Sequence, residues 1–166
     1  MVKYSGKSVS KVILNYCKKR DIEISCVYLQ LLLYLIQEYF CCFGEMSLIN
    51  EKFRAYSFGP AIKEILDDFD DITKPIKYGK YRCEENLPKE INDALVKYLD
   101  VHYGNQSNGN IFSLAMIVKR HKPYYETYNE YLLSENKSKK IPIIPQQKIL
   151  SYCKELIANS TDRRDK

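Results

Sequence analysis

The residues of this chain that could do chemistry are few and widely spaced. "SGKS" at 5–8 has the ending of a phosphate-binding loop, but that motif needs a glycine five residues before its Gly-Lys pair, where this chain has Met1. A strand should also precede it, and the sequence reads as helix there instead. No G-x-G-x-x-G pattern occurs. His102 and His121 stand nineteen positions apart, and neither has a second ligand type at metal spacing, so His102 reads as a helix-face residue. The run Glu64, Asp67, Asp68, Asp70 and Asp71 could offer paired carboxylates, yet consecutive acids at a helix end read as a solvated face. No nucleophile and base stand at an arguable spacing. The expectation is a protein that is not an enzyme and holds neither cofactor nor metal.

Cysteines 17, 26, 41, 42, 83 and 153 form no C-x-x-C pair, and four lie inside apolar helical patterns. Buried, reduced thiols are expected rather than a disulfide framework. With no signal peptide read at the start, a cytoplasmic location is expected.

Basic and aromatic residues interleave in "KYGKYRC" and again in "KRHKPYYETY". Lys77, Tyr78, Lys80, Tyr81 and Arg82 could grip a nucleic acid through phosphate contacts and ring stacking. The competing reading makes the rings core or hairpin partners and the lysines solubilising charges, and only weak, non-specific nucleic-acid binding is expected. Net charge is +5, from 26 basic and 21 acidic side chains, and its distribution is uneven. Lys3, Lys7, Lys11, Lys18, Lys19 and Arg20 fall in the first twenty residues without an acid, and the acidic run at 64–71 has no base. Patches of both signs favour docking to a charged partner. The 15 tyrosines and absent tryptophan add amphipathic rings suited to half-buried and interface positions.

These residues must be positioned by helices. At 166 residues, with 45% hydrophobic and 28% charged side chains, the chain reads as one soluble, mainly α domain. The domain should span 1–158, with 159–166 as a flexible tail. Val9, Val12, Ile13, Tyr16 and Cys17 share one face of a helix over 8–20. Ser25 is placed to cap "CVYLQLLLYLIQEYFCCF", whose strongly polar members are Gln30, Gln37 and Glu38. That run approaches membrane-span length, but its longest unbroken apolar stretch is six residues, so 26–43 is expected to be a buried central helix. In "FRAYSFGPAIKEI" at 53–65, Gly59 and Pro60 are expected to open a helix over 60–69, with Ile62, Ile65, Leu66 and Phe69 on one face. A small hairpin or irregular ribbon is expected at 72–83. Further helices should start at Pro88, with Ile91, Leu95, Tyr98, Leu99 and His102 on one side, at Asn110, and at Pro123. A basic, proline-punctuated linker precedes a last helix from Pro145, with Ile149, Leu150, Cys153, Leu156 and Ile157 inward.

The order of these features resembles the Panacea domain, the SocA-like antitoxin family that includes phage-associated GepA-type proteins. Leu29, Gln30, Leu32, Leu33, Tyr34 and Gln37 match its Leu-Gln helix, with Leu31 in place of a lysine. Ala55, Gly59 and Pro60 match its Ala-Trp-x-Tyr-Gly-Pro-Val segment, with Tyr56, Phe58 and Ala61 as aromatic or apolar replacements. A later Thr-His and Pro-Trp of the family stand here as Val118-Lys119 and Pro123-Tyr124, and the resemblance spans about residues 9–157. It implies a mostly helical protein that neutralises a cognate toxin, the product of an adjacent gene, by direct binding. In the SocA-like case it also implies an adaptor delivering the toxin to a protease. No membrane is involved in that reading. The partner surface is expected among Tyr78, Tyr81, Arg82, Lys119, Arg120 and Tyr124, because tyrosine and arginine dominate binding hot spots. The alternatives are a nucleic-acid binder and a phage-encoded modulator of a host protein.

Overall fold

The computed structural model describes residues 3–44, 47–78, 81, 85–104, 111–134 and 140–162. In chain order these form α1 (Gly6–Lys19), α2 (Cys26–Gly44), β1 (Phe53–Tyr56), β2 (Gly59–Ile62), α3 (Lys63–Leu66), α4 (Lys89–Tyr103), α5 (Ile111–Val118), α6 (Lys122–Leu133) and α7 (Gln146–Asp162). The fold is mainly helical, with one small antiparallel hairpin.

Ser25 starts α2 as its sequence position foretells, its Oγ accepting the Tyr28 amide at 3.2 Å. α2 is then covered by α1, α5, α7 and β2. Leu29, Leu31, Leu32, Leu33, Tyr34 and Ile36 are all buried. An apolar helix of this length could span a bilayer by composition, but most of it lies inside the fold. It is the core helix.

α1 begins two residues earlier than expected because Ser5 caps it: Ser5 Oγ accepts from Ser8 N at 3.1 Å. The Gly6 amide donates to Glu51 Oε2 at 2.8 Å, so a carboxylate already sits at the helix N-terminus. Gly6 also packs closely, since a Cβ there would stand 2.9 Å from Ile65 Cδ1. "SGKS" is thus a helix cap pressed against α3. The basic start of the chain and the acidic run meet through Lys7 and Asp68, 2.7 Å apart. Arg20 lies over the Tyr16 ring and reaches Asp100 of α4.

The Gly-Pro junction does not open a helix. Gly59 and Pro60 belong to β2, paired with Tyr56 and Ala55, and Ser57-Phe58 makes the two-residue turn. The helix that follows is one turn long, Lys63–Leu66. Proline is tolerated in this strand for a geometric reason. The amide of Ala55, opposite Pro60, points away from β2 and donates to Pro142 O at 2.9 Å. Ala55 and Pro60 therefore form a non-hydrogen-bonded pair, and the missing N–H costs no ladder bond.

Of the hairpin or irregular ribbon expected at 72–83, the described residues form irregular chain without a paired hairpin. Residues 72–76 instead lie along the start of α2, with Val27 N donating to Ile72 O (3.1 Å) and Ile76 N to Ile24 O (2.9 Å). Gly79, Lys80, Arg82, Cys83 and Glu84 fall outside the described residues, as does Asn110. On α4, Leu95, Tyr98 and Leu99 are buried, while His102 is exposed with its ring tilted against Tyr98. On α7, Ile149 and Cys153 face inward as expected, but Leu156 and Ile157 remain 44% and 43% exposed among the described residues. The helix itself carries on to Asp162, into the stretch expected to be tail.

Candidate protein-interaction site

Two buried glutamines on the mostly apolar core helix build the site. Gln30 Oε1 accepts the Ile62 amide at 2.9 Å, and its Nε2 donates to the Ile62 carbonyl at 3.2 Å. One side-chain amide pairs with β2 as a neighbouring strand would. Gln37 lies two turns further along α2. Its Oε1 accepts from Leu48 N (3.1 Å) and Ile49 N (3.0 Å), and its Nε2 donates to Ser47 Oγ (2.7 Å). A polar group this deep is tolerable only when its hydrogen bonds are made. Here they also do positional work, fixing non-helical chain against the core helix.

The other edge of the hairpin is closed by the proline-punctuated stretch. Ile144 N donates to Phe53 O (2.8 Å), and Arg54 Nη1 to Ile141 O (2.8 Å). With Gln30 on one edge and residues 141–144 on the other, the sheet offers no row of open backbone groups near its base. What it presents is its tip. The rings of Tyr56 and Phe58 stack there, 5.3 Å apart and 16° from parallel, both half-buried.

α6 supports that tip from below. Tyr124 is buried, donates its hydroxyl to Tyr56 O at 2.7 Å, and stacks on Tyr128 at 5.5 Å. Pro123 suits the first turn of α6, with His121 in the cap position. His121 Nδ1 in turn meets Glu38 Oε2 of α2 at 2.7 Å, with Glu38 only 7% and His121 21% exposed. Tyr34, one turn before Glu38, is entirely buried, and burial together with that carboxylate pushes its phenol well above the ordinary range. The Glu38–His121 contact therefore pins the α5–α6 corner to the core helix, and the Tyr56–Phe58 pair sits on a frame fixed at three points.

Three of the thiols, those of Cys17, Cys26 and Cys41, are buried and inert. Burial raises Cys17 and Cys41 to about 11 and Cys26 to about 12.

Comparison with protein-family models, with curated proteins and with solved structures returns no match.

The residues that carry the Panacea resemblance lie together. Leu29, Leu32, Leu33 and Tyr34 are core, Gln30 clasps the hairpin that contains Ala55, Tyr56, Gly59 and Pro60, and Gln37 clasps residues 47–49. Of the residues expected to meet a partner, Lys119, Arg120 and Tyr124 lie at the α5–α6 corner. Tyr78 donates its hydroxyl to Ile22 O, and Tyr81 stacks on Phe69, so both serve the packing. Arg82 lies outside the described residues, as does Lys80 of the expected nucleic-acid grip. Tyr124 is a buried support, Lys119 is half-buried, and Arg120 is exposed beside it. Sequence reasoning missed Phe58 as half of a surface pair and Glu38–His121 as a brace. The signal for the second was present: Glu38 is an acid in an apolar run, and such a group needs a partner.

Proposed function

We propose that this protein is an antitoxin-like binder that neutralises a cognate toxin in the cytoplasm by direct contact, using the Tyr56–Phe58 tip and the adjoining start of α6. The observation that carries the reading is the convergence of the resemblance-bearing residues on one hairpin, held by Gln30 and capped by a stacked aromatic pair. Rings on a rigid, pre-positioned turn bury area in a partner while losing little conformational freedom, which is how tyrosine-rich surfaces gain affinity. Exposed Arg120 and Tyr125, the latter 56% exposed, extend the surface along α5–α6. A stoichiometric inhibitor needs a complementary surface of about 1,600 Å² in total and no acid or base.

The test is co-expression with the product of the adjacent gene, scoring growth rescue, co-purification and the lifetime of that product. Rescue with co-purification is expected, and a shortened lifetime would add delivery to a protease. Tyr56→Ala combined with Phe58→Ala should abolish co-purification while the purified variant keeps its helical circular dichroism. A neighbour that is harmless alone, or stays toxic and unbound, refutes the pairing and favours a modulator of a host protein.

A further inference from the structure

Three thiols gather where α2 meets α7. Cys153 Sγ, buried on α7, donates to the Glu38 carbonyl of α2 at 3.3 Å. Cys42 stands one turn beyond Glu38 on the same side of α2, and helical side chains lean toward the N-terminus, which turns its thiol toward Cys153. The Cys42 and Cys153 thiols are thus neighbours, and each shifts the ionisation of the other. Cys42 is half-exposed, so an oxidant reaches the pair from solvent through it. Cys41 points about 100° around the helix, and its sulfur accepts from Gln146 Nε2 at 3.3 Å.

We propose that Cys42 and Cys153 are a reversible disulfide site, closed by thiol–disulfide exchange with a small oxidised thiol such as oxidised glutathione. The Cys42 thiolate attacks one sulfur of the glutathione disulfide, forming a mixed disulfide and releasing one reduced glutathione. The Cys153 thiolate then attacks the Cys42 sulfur and releases the second. The protein loses two hydrogens and two electrons, and one glutathione disulfide becomes two thiols. Burial holds both thiols above their ordinary range, so exchange is slow at neutral pH and quickens as pH rises. The product ties α7 to the core helix beside the Gln37–Gln146 contact, closing a loop that runs through most of the fold. This inference is independent of the toxin-binding reading, because its readouts are covalent chemistry and stability.

The experiment incubates the reduced full chain with oxidised glutathione at mildly alkaline pH, blocks remaining thiols by alkylation and maps the peptides. The expected result is a cross-linked Cys42–Cys153 peptide, an intact mass lower by two hydrogens, and a melting temperature raised by roughly 5 °C or more that dithiothreitol reverses. Cys41→Ser should keep the cross-link, while Cys42→Ser and Cys153→Ser should each abolish it. A cross-link through Cys41, a mixed disulfide on Cys42 that never resolves, or thiols that all stay free would each overturn the proposal. The wild-type peptide map decides the matter even if a serine variant fails to fold.

Discussion

Replacing Gln30 by leucine isolates the hydrogen bonds that hold the hairpin. The substitution keeps most of the side-chain volume but removes both the acceptor for Ile62 N (2.9 Å) and the donor to Ile62 O (3.2 Å). Gln30 and Ile62 are both fully buried, so water cannot take over. Each unpaired buried backbone group costs about 1–3 kcal/mol, giving roughly 2–6 kcal/mol in sum. The leucine recovers on the order of 1–2 kcal/mol of apolar transfer energy. At the middle of both ranges a net loss of about 2.5 kcal/mol remains, a large share of the roughly 5–15 kcal/mol that domains possess. With a urea slope of about 2 kcal/mol/M, the midpoint should fall by about 1 M at unchanged slope. Gln30→Glu supplies a second arm. Protonated, the introduced carboxyl can accept from Ile62 N and donate to Ile62 O; ionised, it faces the carbonyl with no proton to give. Its folded pKa must lie above the unfolded value of about 4.3, so the folded state binds the extra proton. Stability of this variant is then greatest below about pH 4 and falls as pH rises, by up to about 1.4 kcal/mol per unit. A leucine variant whose midpoint shifts by less than about 0.3 M, or a glutamate variant indifferent to pH, would refute the clasp.

Gly59→Val should destabilise by about 2 kcal/mol or more in the same melts, because φ is +142° there and a Cβ would stand 2.7 Å from Leu31 Cδ2. Pro60→Ala should be nearly neutral, since the residue occupies a slot without a ladder bond. His121→Ala strands a buried carboxylate and should cost about 2–4 kcal/mol at neutral pH. Adding Glu38→Gln to it should restore part of the loss, and a strictly additive double-mutant cycle would remove the brace from the account. Asp71 accepts from the Thr73 hydroxyl and amide and meets Lys74, which lowers its carboxyl to about 2. Its folded pKa is depressed, so this small contribution is present above about pH 4 and lost as pH falls toward 2. Carboxyl NMR titration should find its midpoint there, and a midpoint at the ordinary aspartate value would contradict the turn geometry.

The helices were legible because their signals are local. Ser25 capping, the apolar periodicity of 8–20 and the proline at 123 each act within one or two turns, and a chain segment carries that information by itself. The burial of most of 26–43 was legible too, since a helix apolar nearly all round has little to give to water, although its end emerges with Phe43 73% exposed. The Gly59-Pro60 junction was not, because the same two residues suit a helix start or a strand whose outward amide is dispensable. What decided between them was Gln30, about thirty residues earlier, and the carbonyl of Pro142, more than eighty residues later. The tyrosines failed as a guide to the surface for a related reason. A phenol is equally at ease half in water or donating to a buried carbonyl, and only the packed fold sent Tyr124 to Tyr56 O and Tyr78 to Ile22 O while leaving Tyr56 at the tip. Periodicity sets which elements form, and the long-range hydrogen bonds of a few polar side chains set where the irregular chain between them comes to rest.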